Sequence, residues 1–240
     1  MIEPTTIPPS YLKVYPPDEE VFAKPVELYA RHLLPLLSID LSVINPEWSG
    51  WVHLLNTVEP EDEVVGKSTQ PFHNYFLREN WIGFHLNQAG RYELLGDFRY
   101  FLLENPPETL PEHYPGEREV MEEHYVQQHT AMRRSRERFA EHGVLYTANR
   151  YSAKDAITGA ELPCNLFNQL GGGVAGGNWF DGFPFDESDE ENIRPLMPDG
   201  TPFHFIASVT GWDYCAQGAN EILLFFEPQS RTALITFDWS

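Results

Sequence analysis

Positive charge is scarce in this chain. Its 240 residues hold sixteen Lys and Arg against thirty-six Asp and Glu, a formal net charge of −20. That balance excludes direct binding to nucleic-acid phosphates or to anionic lipid, because both depend on clustered cations. Cysteine is nearly absent: Cys164 and Cys215 stand 51 residues apart, with no Cys-x-x-Cys between them. A disulfide framework is thereby excluded, and two packed thiols in a reducing compartment are expected. Long apolar runs are missing too. The longest strong one, Ile222 to Phe226, falls far short of the ~20 residues that span a bilayer. Met1-Ile2-Glu3-Pro4 has neither the basic nor the apolar segment of a secretory signal. The expectation is a cytoplasmic protein with no membrane contact.

Motifs for chemistry are equally sparse. Gly171-Gly172-Gly173-Val174-Ala175-Gly176 satisfies G-x-G-x-x-G in letters. A dinucleotide site needs a helix opening there, and Gly177, Gly182 and Pro184 prevent one. Gly66-Lys67-Ser68 ends like a phosphate loop, but Glu61 stands where its first glycine belongs. Among nine histidines, His124 and His129 are five apart, which does not align two rings on one helical turn. Asp186, Ser188 and Glu190 alternate as in a calcium loop, but Glu191 occupies the position of the turn glycine. No G-x-S-x-G and no activated cysteine context occurs. No cofactor, metal or catalytic residue is assigned on these grounds. A pocket with a convergent His–carboxylate constellation is not expected.

What is present reads as a folded α+β protein. Hydrophobic residues make up 42% and aromatics 14%, enough for a sizeable core. A mixed or antiparallel sheet flanked by helices is expected, with an N-terminal α/β region over 1–145 and a β-rich region over 146–240. Five prolines within the first seventeen residues predict an extended start. Val26, Tyr29, Ala30, Leu33, Leu34 and Leu37 follow helical spacing, with Pro35 ending or kinking the helix. Leu41–Ile44 and Trp51–Leu55 read as short strands, and Glu59–Glu63 as an acidic loop. Leu94, Leu95, Phe98, Phe101 and Leu102 suggest another helix, closed by Asn105-Pro106-Pro107. The longest helix is predicted over 117–142. Met121, Tyr125, Gln128, Met132, Ser135 and Phe139 share one side, and Gly143 follows as a C′ glycine. Glu117, Glu119, Glu122 and Glu123 at its start and Arg133, Arg134, Arg136 and Arg138 at its end match the helix dipole, so the arginines read as a solvated face. Strands are predicted over 203–209, 221–226 and 232–239. In the last, Ala233, Ile235, Phe237 and Trp239 alternate with the residues between them, as in a sheet buried on one face.

One surface pattern remains. Asn178-Trp179-Phe180-Asp181-Gly182-Phe183-Pro184-Phe185 runs directly into Asp186-Glu187-Ser188-Asp189-Glu190-Glu191. Aromatic anchors beside a dense acidic segment suit capture of a basic partner. The candidate contact residues are Trp179, Phe180, Asp181, Phe183, Asp186, Glu187, Asp189, Glu190 and Glu191.

The last third also carries family-like elements. Asn168-Gln169-Leu170-Gly171-Gly172, Gly200-Thr201-Pro202-Phe203-His204-Phe205-Ile206-Ala207 and Ile222-Leu223-Leu224-Phe225-Phe226 resemble segments of the bacterial YwqG-like (DUF1963) family, over roughly residues 160 to 240. The resemblance implies an α+β fold without established catalytic residues, and kinship to immunity proteins encoded beside secreted toxins. With the charge, it leads to the expectation of a non-enzymatic immunity protein that occludes the active site of a basic toxin, such as a nuclease effector of a type VI system. A hydrolase using carboxylates and histidine, or a housekeeping interaction module, are the alternatives.

Overall fold

The computed structural model describes residues 5–59, 64–106, 108, 117–148, 154–180 and 182–239. The protein is α+β, with antiparallel sheets and one long helix. In chain order the first elements are β1 (Leu12–Val14), α1 (Asp18–Val21), α2 (Val26–His32), β2 (Leu33–Asp40) and β3 (Trp51–Thr57). The three strands form one sheet in the order β1-β2-β3. Next come β4 (Leu77–Arg78), β5 (Trp81–Leu86), β6 (Tyr92–Leu94), the long helix α3 (Glu117–His142) and β7 (Gln169–Leu170). The remaining elements are the hairpin β8 (Phe185–Asp186) and β9 (Arg194–Pro195), then β10 (His204–Val209), α4 (Gly211–Tyr214), β11 (Glu221–Glu227) and β12 (Thr232–Asp238). The larger sheet runs β4-β5-β12-β11-β10-β7, with β6 paired to β5. Strands from residues 77–94 and from 169–238 therefore share one sheet.

β3 lies against β11 and β12, and the residues between the two sheets form the main core. Ile82, Phe84, Ile222, Leu224, Phe226, Ala233, Ile235 and Phe237 belong to it. Residues of the opposite parity, Trp81, Leu223, Phe225 and Leu234, enter a second cluster. The expected half-exposed final strand is therefore corrected: from Thr232 to Phe237 every residue of β12 is buried. A strand covered on both faces carries apolar residues in a row rather than in alternation.

The same principle overturns the helix expected over residues 26–37. Helix α2 stops at His32, and Leu33-Leu34-Pro35-Leu36-Leu37 opens a buried strand in the middle of its sheet. The register shifts between Pro35 and Leu37, and a bulge is where a strand tolerates a residue without an N–H. Leu41–Val43 is a 3-10 turn, not a strand; Asp40 caps it by accepting from the Ser42 amide at 2.9 Å. The helix expected over 94–102 is likewise absent. Beyond β6 the chain makes two 3-10 turns, Phe98–Tyr100 and Leu102–Glu104. Asp97 accepts from the Arg99 amide at 2.9 Å, and the Asn105 side chain donates to the carbonyls of Arg99 and Phe101 at 2.8 and 3.0 Å. Side chains competing for backbone groups break the helical ladder there.

Helix α3 matches its sequence pattern. Met121, Tyr125, Gln128 and Met132 are buried on one side. Gly143 adopts φ +69°, and its amide donates to the Phe139 carbonyl at 2.8 Å, a left-handed cap that glycine adopts without strain. The arginines do more than face solvent. Arg136 pairs with Asp18 at 3.2 Å and Arg138 with Glu161 at 2.5 Å, tying the last turns of the helix to α1 and to the segment before β7.

Gly83 of β5 lies close against Phe76. A Cβ there would lie 2.6 Å from the Phe76 Cβ and 3.0 Å from its carbonyl oxygen. Gly83→Ala is expected to destabilise the protein by about 1–3 kcal/mol, as overpacking of close contacts does. Urea unfolding should show a lower midpoint at unchanged slope. An unaltered midpoint would mean that the Phe76 loop yields at no cost.

Candidate functional site

The acidic segment folds as a short hairpin. Phe185 pairs with Pro195 and Asp186 with Arg194. Asp186 Oδ2 meets Arg194 Nη2 at 2.5 Å, and Asp186 Oδ1 accepts from the Ser188 amide at 3.1 Å. Those hydrogen bonds from Ser188, then Arg194, hold the Asp186 carboxyl below the usual carboxylate range. Asp189 Oδ1 accepts from the Glu191 amide at 3.1 Å and closes the tip. Glu187, Asp189, Glu190 and Glu191 all point into solvent.

The aromatics of the same segment do not. Trp179 and Phe183 are buried, Phe180 is half-buried, and Asp181 lies outside the described residues. Trp179 sits edge-on to Trp81 at 6.2 Å and packs on Phe225 at 5.5 Å, and Phe183 packs on Trp81 at 4.8 Å. The Arg78 guanidinium lies 5.1 Å from the Phe183 ring centre and donates to the Gly182 carbonyl at 3.0 Å. Trp179 and Phe183 are therefore corrected from contact anchors to core. They cover the face of the larger sheet that carries Leu223, Phe225 and Leu234, where each large apolar side chain removed from water contributes about 1.5–3 kcal/mol. Of the described candidates, Trp179 and Phe183 point inward, Glu187, Asp189, Glu190 and Glu191 outward, and Phe180 and Asp186 lie half-buried between them.

A second group of polar residues escaped the sequence reading. His32, Glu59, Glu104 and Tyr125 converge from α2, the end of β3, a 3-10 turn and α3. Tyr125 Oη lies 2.6 Å from Glu59 Oε1 and 2.8 Å from His32 Nδ1. His32 Nε2 lies 2.9 Å from Glu104 Oε1, which also accepts from Arg31 Nη1 at 2.6 Å. The Leu102 amide donates to Glu59 at 2.8 Å. Glu59, expected in an acidic loop, is buried instead, and residues 60–63 lie outside the described residues. Sequence separations of 72 and 66 residues left no spacing that could have joined these groups. The only signal was that Tyr125 falls on the buried side of its helix.

Desolvation pushes Glu59 up to about 7 and His32 down to about 4. Tyr125 donates to Glu59, which also accepts from the Leu102 amide, and these hydrogen bonds offset part of the desolvation. His32 stands between the Tyr125 oxygen at Nδ1 and Glu104 at Nε2. His32, Glu59 and Tyr125 are buried and Glu104 half-buried, and their hydrogen bonds fasten α3 to α2 and the 3-10 turns.

The thiols are packed residues. Burial pushes both Cys164 and Cys215 up to about 12, with Asp213 adding to the effect at Cys164. Among the described residues no group of three or more His, Cys, Asp and Glu is placed to hold a metal ion, and no helix is long and apolar enough to cross a membrane. No protein-family model, no curated protein and no solved structure matches the chain.

Glu59 makes a signed pH prediction. Its folded value near 7 exceeds its ordinary value of 4.5, so its burial costs nothing below pH 4.5 and progressively more from there to pH 7. A shift of this size corresponds to about 3 kcal/mol. His32 titrates in the opposite sense over lower pH, so the measurement must be a difference. Glu59→Gln should gain stability relative to the parent as pH rises from 4.5 to 7.5 in urea melts. A pH-independent difference would refute the buried-proton assignment.

Proposed function

We propose that this chain is an acidic binding protein that neutralises a basic protein partner, acting as an immunity protein against a cationic toxin, such as a nuclease effector. The observation that carries the reading is the hairpin tip, where Glu187, Asp189, Glu190 and Glu191 are exposed above a buried aromatic root. Such a root anchors the backbone that carries the four carboxylates, which limits the ordering cost of association. A nuclease cleft is built to attract phosphates, and a preformed row of carboxylates offers it the same charge. The net charge of −20 adds long-range attraction that raises the encounter rate. The resemblance of residues 160 to 240 to YwqG-like proteins points the same way. A cytoplasmic site of action and an occlusive rather than catalytic role belong to this proposal. The hydrolase alternative would have to use His32, Glu59 and Glu104, of which Glu59 and His32 are buried and linked through Tyr125, and His32 is bonded to the half-buried Glu104.

Reversal of Glu187, Glu190 and Glu191 to lysine, with Asp189 kept because it closes the tip through the Glu191 amide, should leave unfolding within about 0.5 kcal/mol of the parent, as for exposed positions without special contacts. Asp186 is kept, because it braces the hairpin through Arg194 and Ser188. The association rate with a basic toxin domain should fall at least tenfold by stopped-flow, and the parent rate should fall with salt, since exposed charges are screened beyond ~8 Å at physiological ionic strength. An association rate indifferent to both changes would remove the hairpin from the interface.

A further inference from the structure

Around one cavity bases outnumber acids. This cavity, of about 470 Å³, opens between β1, the start of β3, the 87–91 loop and the β11–β12 turn. Its walls carry Lys13, Arg91 and Arg231 against a single acid, Glu20, in a chain where acids outnumber bases more than twofold.

Each cation is placed by its surroundings. The Lys13 ammonium lies 4.8 Å from the Trp51 ring centre and 2.8 Å from Glu20. Arg231 adopts φ +55° at the β11–β12 turn, a left-handed conformation that glycine would take without strain. Its Nε and Nη2 donate to the carbonyls of Leu86 and Asn87 at 2.7 and 3.0 Å, which fixes the plane of the guanidinium. The Arg91 guanidinium has no hydrogen-bond or ion-pair partner among the described residues. Its loop is held from below by His53. Burial keeps that ring neutral, at about 4, so Nε2–H donates to the Gly90 carbonyl at 2.9 Å and Nδ1 accepts from the Ser38 hydroxyl at 2.7 Å. Gly50 and Gly90 leave the adjoining rim open, with no atom within 4 Å of where a Cβ would stand.

We propose that this cavity binds a small phosphate ester, with the phosphate between Arg91, Arg231 and Lys13 and the organic part against Trp51. Guanidinium groups match phosphate through paired N–H donors, and the volume falls within the range of small-ligand sites. Glu20 pairs with Lys13 at 2.8 Å, and an incoming phosphate competes for the same ammonium. This site is separate from the acidic hairpin and does not depend on the reading of that hairpin.

Isothermal titration of the full chain with AMP, pyrophosphate and adenosine tests the assignment. AMP is expected to bind at one site, more tightly than pyrophosphate, and adenosine not to saturate. Arg91→Gln and Lys13→Gln should each weaken AMP at least tenfold, and Arg91→Lys should recover part of the loss. Both side chains are exposed, so melting curves without ligand should match the parent and show that the variants fold. Absence of saturable AMP binding, or AMP affinity unchanged in the Lys13→Gln/Arg91→Gln double variant, would overturn the site. Pyrophosphate binding as tightly as AMP, or adenosine binding as tightly as AMP, would overturn the ester assignment.

Discussion

Strands β5, β12, β11 and β10 carry large apolar side chains on both faces, and a sheet of that kind cannot leave either face in water. The first sheet covers one face. The other is covered by the segment that precedes β10, which contributes Trp179, Phe183, Ile193 and Phe203. That single requirement explains why a glycine-rich, acidic stretch contains so many aromatic residues. The rings hold the segment down, and the carboxylates occupy the solvent side of the turn they leave exposed. Surface charge and interior packing are thus produced by adjacent residues of one hairpin, with Asp186 and Arg194 marking the boundary.

The long helix was legible because it is amphipathic, longer than two turns by a wide margin, and closed by Gly143. The strands near residues 204, 221 and 232 were legible because they are rich in β-branched and aromatic residues and are bounded by turns. The failures share a physical cause. Leu33 to Ile39 is apolar nearly throughout, and such a run fits either a helical or a doubly buried strand pattern until its partners are known. The residues after Leu94 have helical spacing, but Asp97 and Asn105 divert the backbone into tighter turns. Trp179 and Phe183 could be read as surface anchors because nothing local reveals a sheet face waiting to be covered. Reading the acids of that segment as solvated required only their charge, and four of them are exposed.

Polar groups in the interior were the least legible part. His32, Glu59, Glu104 and Tyr125 lie in four separate elements, and each alone looks like an ordinary surface or core residue. Their grouping follows from the chain path, which brings the end of β3 under helix α3. Burying a carboxyl is costly unless its hydrogen bonds are met, and Glu59 meets them with an amide and a phenol at once. The network gives the packing of α3 a directional component that an apolar contact between Met121, Met132 and the sheets would lack.

The position of β12 in the larger sheet has a bearing on how the molecule is made. β12 is the latest strand in chain order, yet in space it stands between β5 and β11, pairing Ile235 with Ile82 across more than 150 residues. During synthesis β5 leaves the ribosome long before the strand that will cover its edge. Until then Trp81, Ile82 and Phe84 belong to an unfinished sheet with an open ladder, a surface prone to mispairing. The first sheet, β1 to β3, draws on residues 12–57 and can close early. The smaller sheet can thus close on contacts within the 46 residues from Leu12 to Thr57, whereas the larger one is complete only when β12 is in place.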